Sequence, residues 1–259
     1  MKKFIIYLLL MSVYAIGSYA QSKVDSSFHL YLLAGQSNMA GRGIITDEYK
    51  IEGNAKVYML DINNSWITAE HPLHFDKPKV AGVGPGLSFG IKMAEANPTI
   101  KIGLVPCAVG GSSINVWKPG AFDSATKTYP YDDAVKRIEV AMQYGVFKGV
   151  LWHQGESDSR PESAAVYLPK LIALINRFRE VIHNSRLPVV AGELGTYRQV
   201  YSNINGVLAQ LIQQVPYTAI ASSGGLTHKG DTTHFSAASA DELGKRFAEK
   251  MKQLQQRQN

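Results

Sequence analysis

The sequence contains very little cysteine: Cys107 is the only one, so an internal disulfide bond is excluded. Cys107 lies in the apolar run 103–109, and no neighbour in the sequence is suited to lowering the pKa of its thiol. We therefore expect a small buried core residue and not a catalytic thiol. Stability must come from a hydrophobic core, and hydrophobic residues make up 45% of the 259 positions, which is enough to form one.

The sequence also lacks a strong excess of charge of either sign. Its formal net charge is +6, and the paired basic residues are spread along segments with helical patterning. Dispersed basic residues are typical of solvated helix faces, whereas a nucleic-acid site requires a basic patch. We expect no nucleic-acid partner and no other partner selected for negative charge.

No apolar run approaches the roughly 20 residues that a membrane-spanning helix needs. The run from Phe4 to about Ile16 is shorter, follows two lysines and precedes the small residues Ser18 and Ala20. This three-part order is typical of a secretory signal peptide. We predict cleavage after Ala20, a secreted or periplasmic product with no membrane contact, and one domain over residues 21–259.

Short apolar runs rich in β-forming residues alternate with segments of helical periodicity along the rest of the chain. The predicted strands are Leu30–Ala34, Lys56–Leu60, Lys101–Ala108, Gly149–Trp152, Pro188–Gly192 and a short one at Ala219–Ser222. The predicted helices are Leu87–Ala96, Asp132–Tyr144, Ala164–Ile182, Gln199–Gln214 and Ala237–Gln256. This alternation predicts the α/β class, with a parallel sheet covered by helices on both faces.

The location of a functional site follows from this class, because ligands bind beyond the carboxyl ends of the strands in such sheets. Unusual polar residues follow the first, third and fourth predicted strands, so we expect the site at that edge. The long stretch 41–83 contains one predicted strand and many turn-forming residues. Loops of that length are often functional, which makes this stretch a candidate wall of a binding cleft.

Ser37 follows the first predicted strand, on a turn that contains Gly35. A serine at this position is exposed at the sheet edge, and backbone N–H groups at a helix start can stabilise an oxyanion beside it. The pattern is not the nucleophile elbow of α/β-hydrolases, which needs glycine where Met39 stands. The alternative is a serine that only caps a helix.

His234 is the candidate base for such a serine, and Asp231 precedes it by three residues. That spacing lets one turn of chain bring a carboxylate to the imidazole Nδ1 and fix the ring's tautomer. The alternative is a surface pair preceding a helix capped by Ser236.

Two further segments follow strand ends. Gly110 and Gly111 offer unhindered N–H groups suited to an oxyanion hole, although a glycine pair also makes a plain turn. In the segment 152–158, the amide of Gln154 can donate to an oxyanion, and Glu156 can orient a histidine or bind a substrate hydroxyl. The alternative is that Asp158 or Ser159 caps a helix beginning at Pro161.

Metal-binding patterns are weak in this sequence. The pairs His71 and His74, and His153 and Glu156, have suitable spacing but no convincing further ligand. We expect neither a metal nor an organic cofactor.

Four ordered blocks together resemble the sialate O-acetylesterase domain of the SGNH hydrolase superfamily, a grouping that includes the acetylxylan esterases of carbohydrate esterase family six. The resemblance spans about residues 28–250. The blocks are Gly35-Gln36-Ser37-Asn38, Gly110-Gly111-Ser112, Trp152-His153-Gln154-Gly155-Glu156-Ser157-Asp158 and Asp231-Thr232-Thr233-His234-Phe235.

The resemblance implies a flavodoxin-like three-layer α/β/α sandwich with a central, mainly parallel five-stranded sheet. It implies Ser37 as nucleophile, His234 as base and Asp231 as the acid, with Glu156 as an alternative acid or a substrate-binding residue. It implies an oxyanion hole formed by the N–H of Ser37, the N–H of Gly110 or Gly111, and the side chain of Gln154, where the wider superfamily uses asparagine.

The activity implied is removal of O-acetyl groups from an acetylated oligo- or polysaccharide, with xylan as first choice and sialic acid as the alternative. Trp66, Trp117 and Tyr129 lie in predicted loops and are candidates for stacking on sugar rings. A different class of function is a non-catalytic carbohydrate-binding protein on the same fold. The presence of Ser37, Asp231 and His234 together favours the enzyme.

Overall fold

The computed structural model describes residues 24–50 and 54–257. The predicted signal peptide, residues 1–20, lies outside these ranges, so its cleavage after Ala20 stays a prediction. Within the described ranges, none of the helices has both the length and the apolar character needed to cross a bilayer.

A mixed sheet forms the centre of the molecule, and the described residues contribute seven strands to it. The strands are β1 Phe28–Gly35, β2 Val57–Leu60, β3 Trp66–Thr68, β4 Lys101–Pro106, β5 Val146–His153, β6 Val189–Gly192 and β7 Thr218–Ala221. Their order is β3-β2-β4-β1-β5-β6-β7, and every pair is parallel except β2 with β3.

The five strands expected from the longer apolar runs occupy the five central places of this sheet. Two edge strands raise the number from five to seven. The short strand predicted at Ala219–Ser222 is β7, and β3 is only three residues long, too short for a periodic pattern to reveal.

Seven helices of the described chain pack against the sheet. They are α1 Ser37–Ala40, α2 Gly86–Ala96, α3 Pro130–Met142, α4 Pro161–Ala164, α5 Tyr167–Val181, α6 Ser202–Gln214 and α7 Ala237–Gln256. Short 3₁₀ turns lie at Asp47–Tyr49, Ile114–Val116, Glu156–Asp158 and Gln199–Tyr201. The predicted helix Ala164–Ile182 is therefore divided between α4 and α5.

Alternating side chains of β1 enter two separate cores. Leu30 and Leu32 pack with α3, α5 and α6 on one face, whereas Tyr31 and Leu33 pack with α2 and α7 on the other. A central strand buried on both faces reads as a continuous apolar run, which is how β1 appears in the sequence. The three-layer α/β/α architecture is thus confirmed.

The parallel arrangement brings the carboxyl ends of β1, β4 and β5 to one edge, since β1 pairs with both of the other strands. The chain before α7 returns to this edge, where Phe235 forms a bridge with His228. The four sequence blocks therefore meet, although nearly 200 residues separate Ser37 from His234.

Candidate active site

Ser37 occupies a turn that only a glycine at position 35 allows. Gly35 has a φ of 134°, and a Cβ there would lie 2.0 Å from the carbonyl oxygen of His153. The N–H of Gln36 donates to that carbonyl at 2.9 Å, which ties the turn to the end of β5. Ser37 then begins α1 as its first residue, while Gln36 takes the capping position. Ser37 therefore does not serve as the helix cap.

Ser37, His234 and Asp231 form a continuous hydrogen-bonded row. The Oγ of Ser37 lies 3.0 Å from Nε2 of His234, and Nδ1 of His234 lies 2.7 Å from Oδ2 of Asp231. Because a carboxylate can only accept, Nδ1 carries the proton, and the lone pair of Nε2 faces the serine hydroxyl. This is the tautomer that a general base requires.

The turn from Asp231 to His234 holds the carboxylate in place. Oδ1 of Asp231 accepts from the N–H groups of Thr233 at 3.0 Å and His234 at 2.8 Å. Partial burial opposes ionisation of Asp231, but hydrogen bonds from the backbone and ring of His234 and from the Thr233 N–H outweigh it and lower its pKa to about 2. Asp231 is therefore a permanent anion beside the imidazole at neutral pH.

The glycine pair after β4 has one occupied and one available N–H group. Gly110 donates to Oδ2 of Asp76 at 2.8 Å, and the same oxygen accepts from the buried guanidinium of Arg42 at 2.6 Å. Gly111 has a φ of 88°, and its N–H, like that of Ser37, makes no hydrogen bond within the described chain. The backbone N–H groups available to a ligand in the cleft are therefore those of Ser37 and Gly111, and that of Gly110 is not among them.

Gln154 is not placed in the predicted oxyanion hole. Its side chain is fully buried, and its Nε2 lies at 3.0 Å from Gln36 Oε1, 3.1 Å from Ser112 O and 2.6 Å from Asp158 Oδ2. Its Oε1 accepts from the hydroxyl of Tyr167 at 2.8 Å. The amide protons are thus used up in joining the ends of β1, β4 and β5, and the prediction for Gln154 is wrong.

The alternative role of Asp158 or Ser159 as a helix cap is also wrong. Asp158 accepts instead from the hydroxyl of Ser113 at 2.6 Å and from the N–H of Ile114 at 2.9 Å. The hydroxyl of Ser159 donates to a carbonyl, and Arg160 takes the capping position of α4 without a side-chain bond. Asp158 therefore belongs to the same buried network as Gln154.

Glu156 does not contact His234 in the described structure. One of its carboxylate oxygens accepts from the amide of Asn38 and lies 3.8 Å from Nδ1 of His153, while the other has no hydrogen-bond partner among the described atoms. Since Nδ1 of His234 is already bonded to Asp231, the carboxylate in contact with His234 is that of Asp231 and not that of Glu156.

This geometry can be compared with known proteins. Residues 27–253 match the family described as carbohydrate esterase, sialic acid-specific acetylesterase. The chain belongs to this family. As a family member, it is a carbohydrate acetylesterase.

Relatives of this acetylesterase cover most of its length. The probable carbohydrate esterase At4g34215 of Arabidopsis thaliana is 30% identical over 239 residues, which cover 85% of this chain and 88% of that protein. Its solved structure has a TM-score of 0.77 at 29% identity, covering 87% of this chain and 98% of the other. The structure of NanS has a TM-score of 0.70 at 19% identity, and the match covers 92% of this chain and 100% of NanS. The similarity to NanS shows a shared fold.

The cleft of this acetylesterase has a volume of about 460 Å³ and carries an excess of positive charge. Lys77, Arg198 and Lys229 are exposed cations among its lining residues, and Asp231 and Glu156 are its acidic ones. The expected wall is present, because the stretch 41–83 contributes Lys77 together with Arg42 and Val80. The overall charge did not reveal this local excess, since the cations come from separate segments.

The aromatic residues proposed for sugar stacking do not line this cleft. Trp117 is fully buried, with its ring 5.2 Å from that of Trp152, and Trp66 packs against Phe28. Tyr129 is half-exposed beside another aromatic ring. Tyr201 borders the cleft, but its side chain is only 2% exposed and belongs to the hydrophobic core.

Two other groups singled out in the sequence, His74 and Cys107, are buried, and His71 is partly buried. Burial lowers the pKa of His71 and of His74 to about 4, so both rings are neutral at physiological pH. Burial raises the pKa of the Cys107 thiol to about 11, as expected for an unreactive core residue.

Sequence reasoning missed Arg42 and Asp76, which lie beneath the glycine pair. A Cβ on Gly110 would lie 2.4 Å from Nη2 of Arg42, so the ion pair and the loop are in direct contact. The side chains of Arg42 and Asp76 are only 3% and 5% exposed. A buried pair of this kind supports the loop that presents the Gly111 N–H, and no local sequence pattern links residues so far apart.

Proposed function

We propose that this acetylesterase is a secreted serine esterase that removes O-acetyl groups from a carbohydrate through an acyl-enzyme on Ser37. The observation that carries the proposal is the row of Ser37, His234 and Asp231, with distances of 3.0 Å and 2.7 Å between the interacting atoms. Nucleophile, base and orienting acid within hydrogen-bond reach are the arrangement that acyl transfer requires.

The reaction has two steps. His234 Nε2 accepts the proton of the Ser37 hydroxyl as Oγ attacks the acetyl carbonyl carbon, and the resulting oxyanion accepts from the N–H groups of Ser37 and Gly111. The imidazolium, stabilised by Asp231, then protonates the departing sugar oxygen, which leaves an acetyl ester on Ser37. A water molecule deprotonated by His234 attacks this ester, and the imidazolium returns that proton to the departing Oγ of Ser37 as acetate is released.

Acetylated xylan is the first proposed substrate. The four sequence blocks resemble a grouping that includes the acetylxylan esterases, and an open cleft of about 460 Å³ suits a sugar unit within a longer chain. The reaction there is hydrolysis of the ester on a xylose hydroxyl.

Acetylated sialic acid is the second proposed substrate, because one observation favours it specifically. Lys77, Arg198 and Lys229 line the cleft, and a sugar carboxylate would find cationic partners there that a neutral xylose does not need. The description of the family as sialic acid-specific agrees with this charge.

Export rests on the first 20 residues, whose basic, apolar and small-residue regions follow the order of a signal peptide. The test is N-terminal sequencing of the exported protein. Gln21 is the expected first residue, and a mature product that retains Met1 would contradict the proposal.

The nucleophile is tested by release of p-nitrophenol from p-nitrophenyl acetate. We expect Ser37→Ala to lower kcat by about 10⁴-fold or more, because the residual rate comes only from binding and the oxyanion donors. Ser185→Ala is the control, since Ser185 is an exposed serine outside the cleft lining. Equal loss in both variants, or no loss in Ser37→Ala, would refute the assignment.

The substrate is tested by acetate release from acetylated xylan, pectin, mannan and sialosides. Activity on xylan that is unaffected by Lys77→Ala and Arg198→Ala supports the first substrate. Activity on sialosides with a KM raised about tenfold by either substitution supports the second, because a lost charge-assisted contact costs roughly 1.5 kcal/mol or more.

A further inference from the structure

Asn38 binds the backbone on both sides of His234. Its Oδ1 accepts from the N–H of Phe235 at 3.0 Å, and its Nδ2 donates to the carbonyl of Thr233 at 3.0 Å. Asn38 follows Ser37 directly in α1 and is only 3% exposed. One buried side chain therefore joins the segment of the nucleophile to the segment of the base.

Glu156 supports the way the Asn38 amide faces. One of its carboxylate oxygens accepts from Nδ2 of Asn38. The same nitrogen donates to the carbonyl of Thr233, so two acceptors lie on the NH₂ side of the amide. The carbonyl oxygen of the same amide then faces the N–H of Phe235, as the structure shows.

The surroundings of Glu156 favour this role over substrate binding. Its side chain is 5% exposed, and the neighbouring His153 ring is fully buried. Burial lowers the pKa of His153, and its Nε2–H is directed at the carbonyl of Glu193 at 3.1 Å. Among the described residues, Asn38 is thus the one that donates a hydrogen bond to the side chain of Glu156.

We propose that Asn38 and Glu156 are positioning residues that hold His234 at hydrogen-bonding distance from Ser37. Glu156 acts through Asn38 and does not serve as the acid that orients His234. The proposal rests on the proposed function, because positioning of His234 matters for catalysis only if His234 is the base.

The first test substitutes Asn38 and Glu156 separately. Asn38→Leu keeps the side-chain size but loses all three hydrogen bonds, and we expect kcat on p-nitrophenyl acetate to fall about 100-fold, as for a catalytic group misplaced by roughly 1 Å. KM should change less than about threefold, since the lost contacts do not touch the substrate. Glu156→Gln retains an oxygen that can accept from Asn38 but loses the charge, so its kcat should fall by about tenfold, less than in Asn38→Leu.

The matched control is Tyr197→Phe. The hydroxyl of Tyr197 donates to the same Thr233 carbonyl at 3.0 Å, but Tyr197 is not part of the Ser37 segment. If the loss of any one contact to that carbonyl were enough to misplace His234, Tyr197→Phe would lower kcat as much as Asn38→Leu. We expect a loss of less than about fivefold, because Asn38 remains in place.

A rescue experiment guards against a variant that simply fails to fold. Asn38→Asp places a second carboxylate against Glu156 and should lower kcat about 100-fold or more, whereas adding Glu156→Gln restores a donor and acceptor pair. We expect the double variant to recover at least about tenfold in kcat. Thermal melting of each variant separates loss of folded protein from loss of positioning.

The pH dependence of kcat/KM distinguishes positioning from a role as the triad acid. The acid limb should keep its midpoint in Glu156→Gln and Asn38→Leu, because Asp231 still interacts with His234. A kcat loss in Glu156→Gln as large as in Asp231→Asn, or wild-type kcat in Asn38→Leu, would overturn the proposal. Full activity in Ser37→Ala would instead overturn the proposed function, so the two failures are distinguishable.

Discussion

Two histidine and carboxylate pairs with the same three-residue spacing lie near each other at the edge of the sheet. In the first, His153 and Glu156 are 0% and 5% exposed, and the closest side-chain atoms are 3.8 Å apart. In the second, Asp231 and His234 are 38% and 24% exposed and are hydrogen-bonded at 2.7 Å. Only the second pair contacts Ser37, through Nε2 of His234.

The difference shows that spacing alone does not make a catalytic pair. His153 is the last residue of β5, so its side-chain direction is set by the strand, and its Nε2 is directed at the carbonyl of Glu193. His234 lies in a tight turn in which Thr232 has a φ of 54°, and this turn directs its ring toward the cleft. The direction of the ring and its access to the cleft distinguish the buried pair, His153 and Glu156, from the pair that we propose is reactive, Asp231 and His234.

The largest expected effect comes from breaking the reactive pair. Asp231→Asn should lower kcat by about 10⁴-fold, because the amide can stabilise the wrong imidazole tautomer and cannot stabilise the imidazolium. The measurement is p-nitrophenyl acetate hydrolysis, with Asp47→Asn as an exposed control remote from the cleft. A loss under tenfold would show that the pair is not the catalytic one.

A smaller effect, on stability and not on chemistry, is expected from breaking the buried pair. His153→Leu leaves the Glu193 carbonyl without its donor in a buried site, so the free energy of unfolding should fall by about 1–3 kcal/mol. His234→Leu should change it by only about 0.5 kcal/mol, since that ring is partly exposed. The free energies of unfolding of both variants are measured by urea denaturation. Equal destabilisation would show that the two histidines do not differ in their contribution to stability.

The smallest effect is expected on the stability of the protein at acid pH, through the carboxylate of the reactive pair. The pKa of Asp231 is lowered from 3.8 to about 2 in the folded protein, so its contribution to stability is complete above about pH 4 and is lost as the pH falls toward about 2. Asp231→Asn should make the free energy of unfolding depend slightly less on pH in this window. The effect is small because solvent and salt screen a partly exposed group.

Asp25 provides the control for this measurement. Its hydrogen bond from Lys101 also lowers its pKa to about 2, but it lies outside the cleft. Asp25→Asn should weaken the same pH dependence and leave kcat unchanged. A wild-type slope in Asp231→Asn would contradict the assigned origin of the lowered pKa.

The sequence predicted the central strands and the location of the site well, because buried parallel strands and tight turns have strong local signatures. Ser37, His234 and Asp231 were singled out because each stands in a short pattern beside a strand end or a helix start, and the structure brings their side chains into contact. Gln154 was misjudged for a physical reason: its position beyond β5 was right, but the direction of its amide depends on Gln36 and other residues far away in the chain.

The sequence by itself determined the α/β class and the family, and it singled out Ser37, His234 and two candidate acids, since these depend on periodicity and on residues close together in the chain. Only the tertiary structure decided between Asp231 and Glu156 as the partner of His234, and between Gly110 and Gly111 as the available donor. The reason is that hydrogen-bond capacity is limited. Whether an N–H or a carboxylate is available at the cleft depends on which distant residues already occupy it.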